Sequence, residues 1–318
     1  MFLMQILNFG SLNIDRSYVV PHLVQEGETL SSVDMEVTSG GKGLNQSIAL
    51  ARAGLPVFHA GKVGADGRFL LDQLRESGVD VSLVTLSEDL VTGHAVVQVD
   101  LAGRNCILLY GGANQAITCE EIDRVLERFG PGDWLFLQNE VSCLDYLIRA
   151  ASRRGMTVVL NPSPLDDALL RAELGGVSWF ILNEIEGEGL TGEREPERIC
   201  AALRARWPGS KVVLTLGERG AVCDDGEGFL WRESFPTRTV DSTAAGDTFT
   251  GYFFAALCRG EDPESALEQA GMAASLAVGR RGAAASIPTR AEVQQALAAW
   301  RQASAEPGLI QAADRHSV

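Results

Sequence analysis

Short apolar and β-branched runs alternate along this chain with longer runs in which apolar residues recur at a helical spacing. Side chains repeat about every 2 residues in a strand and about every 3.6 in a helix, so the two patterns predict strands and helices. The predicted strands are Gln5–Phe9, Val57–Val63, Trp134–Gln138, Thr157–Asn161, Trp179–Leu182 and Lys211–Leu216. The predicted helices are Leu44–Ala53, Arg68–Ser77, Glu120–Phe129, Leu144–Arg154, Pro196–Trp207, Asp247–Cys258, Pro263–Val278 and Ala291–Gln302. This alternation predicts an α/β fold whose mostly parallel sheet is covered by helices on both faces.

Two regions break the alternation, because residues 14–37 and 94–110 carry strand-like patterns with no helix between their pieces. Such a pattern predicts a small separate antiparallel sheet, which would suit a lid. The main α/β domain is therefore predicted over residues 1–13, 38–93 and 111–302, with the lid over residues 14–37 and 94–110. The polar, mixed residues 303–318 are predicted to form a frayed tail.

Composition narrows the class of protein. The 318 residues, 46% of them hydrophobic, suffice for one large domain with an appendage. No apolar run approaches the roughly 20 residues needed to cross a bilayer, and the first residues lack the features of a signal peptide, so a soluble cytoplasmic protein is expected. A net charge of −15 disfavours nucleic-acid binding. The six cysteines and four histidines are scattered, which predicts neither a zinc site nor a disulfide framework.

A run of small residues ending in Ala244-Ala245-Gly246 leads into a predicted helix at Asp247. Small side chains let an anion approach the unpaired N–H groups at a helix start, where the helix dipole is also favourable, so these three residues form a candidate phosphate cradle. A carboxylate at this position repels a bound phosphate, so its presence there indicates a chemical role. A suitable role is to take the proton from an attacking hydroxyl. Asp247 is therefore a candidate general base. The alternative is an aspartate that merely caps its helix.

A second glycine-rich run, Ser39–Gln46, precedes another predicted helix. Its glycines suit close approach of the backbone to a ligand, and Asn45 and Gln46 would offer hydrogen bonds at the helix start. The run is not a Walker A loop, because Lys42 is followed by glycine, and it lacks the last glycine of the dinucleotide-binding fingerprint. The alternative is a flexible turn before a surface helix.

Taken together, the two runs resemble the two signatures of the ribokinase-like (PfkB) carbohydrate kinases: GGKGLNQSIALARAG the N-terminal one, DSTAAGDTFTGYFFAAL the C-terminal one. They lie roughly 200 residues apart, and the resemblance extends from Gly10 to Pro288, although Ala244 replaces the commoner first glycine of the cradle. The resemblance implies a three-layer α/β/α fold with a central mostly parallel sheet and a small antiparallel β lid. It also implies ATP-dependent phosphorylation of the primary hydroxyl of a neutral sugar, with D-ribose expected.

The resemblance further implies which residues contact the sugar, namely Asn13, Asp15, Gly41, Lys42, Asn45 and Glu140. The two carboxylates among them would accept hydrogen bonds from hydroxyls, whereas the lysine and the asparagines would donate. No cluster of arginine or lysine stands at these positions, which favours a neutral polyol over a sugar phosphate. For Glu140 the alternative is a solvated glutamate at a strand end.

On the nucleotide side the resemblance implies contacts from Asn183, Thr215, Gly217 and Gly220, with Glu186 holding Mg²⁺ through water. Magnesium prefers to keep several waters, so an amide and a carboxylate at this spacing suit it. Two alternatives stay open, an ordinary acidic helix start at residues 183–188 and a hairpin turn at the two glycines.

The family likeness also implies activation by K⁺, with oxygens from Asp241, Thr243, Arg280, Gly282 and Ser286. Oxygen ligands suit a hard cation. The alternative is that Asp241 forms an ion pair with Arg280 or Arg281. A homodimer through the lid is expected as well, because lid strands would otherwise expose edges and an apolar face.

Two other functions remain open from the sequence. The chain would still be a kinase if its substrate were another neutral sugar or a nucleoside, as in fructokinase-like or adenosine kinase-like proteins. It would be a different kind of protein if it were a non-catalytic sugar-binding regulator on the same fold, since fold does not fix function. The intact set of Asp247, Lys42, Asn183 and Glu186 argues against a regulator.

Overall fold

The computed structural model of the chain describes residues 4–305, in which thirteen strands form two sheets. The larger sheet consists of β1 Ile6–Phe9, β4 Val57–Gly64, β5 Asp80–Ser87, β8 Trp134–Gln138, β9 Thr157–Asn161, β10 Trp179–Asn183, β11 Lys211–Thr215, β12 Ala221–Asp224 and β13 Phe229–Arg232. The smaller sheet consists of β2 Asn13–Val20, β3 Asp34–Gly40, β6 Gly93–Asp100 and β7 Asn105–Tyr110. The helices are α1 Lys42–Arg52, α2 Arg68–Glu76, α3 Cys119–Leu126, α4 Leu144–Arg153, α5 Asp167–Arg171, α6 Glu184–Thr191, α7 Pro196–Arg206, α8 Ala245–Cys258, α9 Pro263–Val278 and α10 Arg290–Ala305.

The larger sheet has the order β13-β12-β11-β10-β9-β8-β1-β4-β5 and is parallel except for the hairpin strands β12 and β13 at one edge. Its side chains alternate between two apolar cores. Ile6 and Phe136 pack on one face with α1, α2, α8, α9 and α10, whereas Leu7 and Leu135 pack on the other with α3, α4, α6 and α7. This alternation is the period of two that a strand imposes. The predicted three-layer α/β/α fold is therefore confirmed.

The smaller sheet has the order β3-β2-β6-β7. Its two outer pairings are antiparallel, as predicted, but the central strands β2 and β6 run parallel. Asn13 at the start of β2 is paired with Gly40 on one side and with Gly93 on the other. The base of this sheet thus lies beside the run Ser39–Gln46, next to the predicted sugar residues.

Most predicted elements have bounds close to the observed ones, and the differences have local causes. Helices α1 and α8 begin two residues earlier than predicted, because Lys42 and Ala245 already adopt helical backbone. Helix α10 continues to Ala305, so the first three residues of the predicted frayed tail are helical; residues 306–318 lie outside the described part. Strand β5 was not predicted, because its half-exposed mixture of polar and apolar residues carries a weak strand signal.

A close crossing of α1 and α8 brings the two glycine-containing motifs together. A Cβ atom at Gly251 would lie 2.3 Å from the Cβ of Ala49 and 2.8 Å from the backbone nitrogen of Leu50. Only glycine permits this approach of the two backbones. The crossing places the first turn of α8 against the first turn of α1, where the candidate site is found.

None of the helices between residues 4 and 305 is both long and apolar enough to cross a membrane.

Candidate active site

Asp247 lies in the first turn of α8 and is 7% exposed. Its carboxylate does not cap the helix, because Ala244 holds the cap position and no side-chain cap bond forms. Instead, Oδ2 accepts a hydrogen bond of 3.1 Å from Nδ2 of Asn45, and Oδ1 accepts one of 3.0 Å from Nε2 of Gln46. The interpretation of Asp247 as an N-cap is thus wrong, and the carboxylate joins the two motifs.

The backbone before Asp247 forms an open helix start. Ala244 has a φ of 60°, a left-handed conformation that costs a residue with a side chain about 1–2 kcal/mol. The N–H of Ala245 donates to the carbonyl of Ser242, but the N–H groups of Ala244 and Gly246 donate to no described residue. A Cβ atom at Gly246 would meet nothing within 4 Å, so the helix start faces open space. Unpaired N–H groups at an unobstructed helix start suit an anion.

Glu140 follows β8 and lies beside the start of α1. Its Oε2 accepts a hydrogen bond from the hydroxyl of Ser11 and another of 3.0 Å from the backbone N–H of Lys42. Burial raises the pKa of Glu140, and burial together with the nearby Glu140 raises the pKa of Asp15 to about 6. Glu140 is therefore held by two donors instead of being a solvated strand-end residue. Two carboxyl groups share one poorly solvated space, as acceptors for hydroxyl donors would.

Lys42 supplies the positive charge of this space. Burial lowers the pKa of Lys42, but the carboxylates of Asp247, Glu140 and Glu186 outweigh that effect and raise it above its ordinary value. The ammonium group is thus charged at neutral pH. It offers three donors to a ligand in the space between Asp247 and Glu140.

Asn13 and Gly41 are the last two of the six residues predicted to contact a sugar, which are called the sugar group below. Oδ1 of Asn13 accepts a hydrogen bond of 2.8 Å from Nδ2 of Asn114, a residue 1% exposed that also bonds to both backbone groups of Leu12. Gly41 has a φ of 94°, and a Cβ there would lie 2.9 Å from the carbonyl oxygen of Ser11. The structure thus brings the six predicted sugar residues together in one cluster, which contacts Asp247 through Asn45.

Two residues of this side were missing from the predicted set. Ser11 donates a hydrogen bond to Glu140, and Asn114 donates one to Asn13. The two residues of each pair are far apart in the sequence, so no local sequence pattern indicates the contact. The available signal for both was their context, because Ser11 comes two residues after the buried strand β1, and Asn114 comes two residues after the pair Gly111-Gly112.

A cavity of about 620 Å³ opens on the other side of the helix start. Three of the four predicted nucleotide residues, Thr215, Gly217 and Gly220, line it together with Ala245 and Gly246 of the cradle. The two glycines also form the turn between β11 and β12, so the hairpin interpretation holds alongside. Most of the remaining lining was not predicted from the sequence. The missed residues include Phe235, Leu267, Gly271, Ala274, Ser275 and Val278.

Asn183 does not line this cavity. It caps α6 and forms a capping box with Glu186, in which Glu186 N–H donates to Oδ1 of Asn183 at 2.9 Å and Asn183 N–H donates to Oε2 of Glu186 at 3.0 Å. The spacing of the two residues is thus explained by the helix start. Oε1 of Glu186 accepts no hydrogen bond from the described residues. Between residues 4 and 305, no group of three or more His, Cys, Asp or Glu is arranged to hold a metal directly.

The residues predicted to hold a monovalent cation lie in two segments, 241–243 and 280–286, which a hydrogen bond between Asp241 and Gly282 joins; the hydroxyl of Ser286 donates within its own segment, to the carbonyl of Ala283. Asp241 accepts hydrogen bonds from the N–H and hydroxyl of Thr243 and, at 2.9 Å, from the N–H of Gly282; these donors lower its pKa against the effect of burial. Arg280 pairs with Glu292 at 2.7 Å, so the alternative pair of Asp241 with Arg280 does not form. Within the described residues, the carbonyl oxygens of Thr243, Arg280 and Gly282 accept no hydrogen bond. Carbonyl oxygens without a hydrogen bond are the kind of ligand that a hard cation prefers.

Comparison with known proteins places this geometry among the sugar kinases. The model of the pfkB family carbohydrate kinases matches residues 4–290. Ribokinase of Haemophilus influenzae is 32% identical over 300 residues, which cover 91% of this chain and 96% of that protein. Deoxyribokinase of Salmonella typhi is 30% identical over 294 residues, covering 90% and 96%. The structure of Arabidopsis thaliana ribokinase complexed with ribose and ATP is similar at a TM-score of 0.81 and 30% identity, covering 93% of this chain and 99% of that one.

Proposed function

The chain belongs to the pfkB family of carbohydrate kinases, and we propose that it transfers the γ-phosphate of ATP to the primary hydroxyl of D-ribose, giving D-ribose 5-phosphate. One observation carries the proposal. Asp247 bonds to Asn45 of the sugar group, and its neighbour Gly246 lines the cavity on the nucleotide side. The carboxylate therefore lies at the junction of the two substrate sites, where a base for phosphoryl transfer must act.

In the proposed reaction Asp247 accepts the proton of the sugar hydroxyl as its oxygen attacks the γ-phosphorus. The bond between that phosphorus and the bridging oxygen of ADP breaks in line with the attack, and ADP leaves. The free N–H groups of Ala244 and Gly246 stabilise charge on the transferring group. Asp15 and Glu140 accept hydrogen bonds from the remaining hydroxyls, while Lys42 donates.

Magnesium bound to the nucleotide phosphates would neutralise part of their charge. The donor set fits a hydrated ion held mainly by phosphates, because one carboxylate oxygen of Glu186 is free and no cluster of acidic side chains surrounds it in the described part. Glu186 would contact such an ion through water. The −15 charge of the chain makes this neutralisation more important for ATP binding.

The substrate is tested by measuring ADP release with ATP and Mg²⁺ for D-ribose, 2-deoxy-D-ribose, D-fructose and adenosine. We expect the highest kcat/KM for D-ribose. 2-Deoxy-D-ribose is the second candidate, because the deoxyribokinase is nearly as similar as the ribokinase. A preference for fructose or adenosine would refute the assignment of a pentose substrate but would leave the assignment as a kinase unchanged. No turnover of any of the four would favour a regulator.

We also expect K⁺ to activate the enzyme through the loop around Asp241. Bound by the free carbonyls of Thr243, Arg280 and Gly282, the ion would hold the backbone before the cradle in place. Rates are compared in K⁺ and tetramethylammonium at constant ionic strength. Activation by K⁺ should disappear in Asp241→Ala but persist in Asp262→Ala, which removes a carboxylate at the far end of α9. Equal rates in both salts would exclude the site.

A homodimer through the smaller sheet is the expected assembly. Every residue of the edge strand β7 is exposed, including Ile107 at 62% and Leu108 at 71%, so this strand presents apolar side chains and unpaired backbone groups to water. Sedimentation at micromolar concentration should show a dimer. Leu108→Asp should give monomers, whereas Ile185→Asp, which changes an 82% exposed residue on α6, should not. A monomeric unmodified protein would contradict the proposal.

A further inference from the structure

A chain of buried polar side chains runs from Asp247 beneath the carboxyl ends of three strands. Its members, called the buried chain below, are Asp247, Gln46, Gln138, Asn8, Ser47 and His59; all are at most 7% exposed. Nε2 of Gln138 donates to Oε1 of Gln46 at 2.7 Å and to Oδ1 of Asn8 at 3.1 Å. Nδ2 of Asn8 donates to Ser47 at 2.8 Å and to the carbonyl of Gly43 at 2.7 Å.

The orientation of the three amides is fixed from both ends. The carboxylate of Asp247 can only accept, so Gln46 must present its NH₂ group there and its oxygen to Gln138. The carbonyl of Gly43 can also only accept, so Asn8 must present its NH₂ group to it and its oxygen to Gln138. The oxygens of Gln46 and Asn8 therefore both face Gln138, whose NH₂ group donates a hydrogen bond to each. One arrangement of amides satisfies both ends.

This arrangement leaves Oε1 of Gln138 buried without a partner. A Cβ atom at Gly10 would lie 2.3 Å from that oxygen, so a glycine provides the room that Gln138 needs. A buried unpaired acceptor destabilises a fold, but an apolar side chain at position 138 would leave the oxygens of Gln46 and Asn8 unpaired instead. Gln138 is therefore the donor that orders both neighbouring amides.

The other arm of the buried chain leads away from Asp247. Ser47 accepts from Asn8, and a hydrogen bond of 2.7 Å joins its hydroxyl to Nδ1 of His59. Burial lowers the pKa of His59 to about 4, which keeps the ring neutral and able to accept. This arm anchors the chain on β4 and contacts neither Asp247 nor the predicted sugar residues.

We propose that Gln138, acting through Gln46, is a positioning residue that fixes the direction in which the Asp247 carboxylate points toward the sugar hydroxyl. The role rests on the proposed phosphoryl transfer. Gln138 holds Oε1 of Gln46, which keeps the NH₂ group of Gln46 at Oδ1 of Asp247 while Asn45 holds Oδ2. Without Gln138, Oε1 of Gln46 would be a buried acceptor with no partner, so the Gln46 side chain would shift and Asn45 alone would hold the carboxylate firmly. Small misplacements of a base cost rate more than binding.

The experiment compares Gln138→Met with Ser47→Ala. Methionine keeps the length of glutamine but donates no hydrogen bond, and we expect kcat to fall about tenfold with KM for sugar and ATP changed less than about threefold. Ser47→Ala removes only the far arm and should leave kcat within about twofold. If Ser47→Ala lowers kcat as much as Gln138→Met does, or if Gln138→Met changes only KM, the proposal is overturned.

A double-mutant cycle with Asp247→Asn distinguishes an effect of Gln138 on the position of the Asp247 carboxylate from a general loss of structural order. Gln138→Met should cause no further loss of kcat once Asp247 has lost its charge, whereas a purely structural effect would multiply the two losses.

Thermal unfolding of the same four proteins needs no substrate. We expect the two shifts in Tm to be less than additive, and additive shifts would refute the buried chain even if the enzyme phosphorylates no sugar. Failure of the kinase assay alone would refute only the proposed function.

Discussion

Replacing Asp247 with asparagine is expected to lower kcat by about 10²–10⁴-fold while leaving the fold and sugar binding intact. Asparagine keeps the shape of the side chain in the first turn of α8, where Asn45 and Gln46 already surround it. It cannot take a proton from an attacking hydroxyl. The measurement is kcat at saturating sugar and ATP, with the sugar dissociation constant and Tm taken on the same samples.

Asp133→Asn is the matched control for this loss. Asp133 is also buried, at 8% exposure, and its carboxylate also accepts two hydrogen bonds, from the backbone N–H groups of Gln5 and Gly130. The control should lose some stability but little activity. Near-normal kcat in Asp247→Asn would exclude the general base.

Replacing Asp15 with alanine is expected to lower kcat/KM for the sugar by the equivalent of about 1–3 kcal/mol, or roughly 5–150-fold. The sugar hydroxyl would lose its acceptor in a space that is poorly solvated. Asp15→Asn keeps one acceptor oxygen and should fall between alanine and the natural residue. An unchanged kcat/KM in Asp15→Ala would place the sugar elsewhere.

The same carboxyl group predicts how sugar affinity depends on pH. In the free enzyme the pKa of Asp15 is raised to about 6 by burial and by Glu140, so the group binds a proton below that pH. Hydroxyl donors favour the carboxylate form, so sugar binding must expel this proton. Affinity should therefore weaken as pH falls below about 6, by up to about tenfold per unit.

Calorimetry of sugar binding without nucleotide, between pH 5 and 8, measures this linkage free from titration of the phosphates. Proton release below about pH 6 should be present in the natural enzyme and reduced in Asp15→Asn. Equal proton release in both proteins would assign the titration to another group, such as Glu140.

The sequence predicted the fold well where the signal is local. Strands β8 and β9 have the predicted bounds, because each continuous apolar run ends in the sequence at a polar residue, Gln138 or Asn161. Strand β5 and the short helix α5 were missed because one is half-exposed and the other has only five residues. Periodicity needs a longer and more one-sided segment to be recognised.

The candidate site was predictable only in part for a different reason. Asp247 and the glycine-rich run each lie in a contiguous motif, so the residue types and their spacing in the sequence indicate their chemical role. The buried chain draws on Asn8, Gln46 and Gln138, which meet only after two strands and a helix have assembled. The lining of α9 carried a readable signal, since Gly271, Ala274, Ser275 and Val278 repeat at a helical spacing with small side chains.

The spacing of Asn183 and Glu186 had two causes that the sequence alone did not separate. An asparagine followed three residues later by a glutamate is the pattern of a capping box, and the structure forms one. The proposed contact of Glu186 with hydrated magnesium therefore uses the carboxylate oxygen that the cap leaves free.

Phosphorus–carbon NMR of the product made from ¹³C-labelled D-ribose, ATP and Mg²⁺ tests the central claim most directly. If Asp247 activates the primary hydroxyl, the phosphorus of the new ester should couple to C5 through two bonds and to C4 through three bonds, and 5-deoxy-D-ribose should give no sugar phosphate. Coupling of the phosphorus to C1, C2 or C3, or no phosphorylated sugar at enzyme concentrations that saturate the assay, would contradict it.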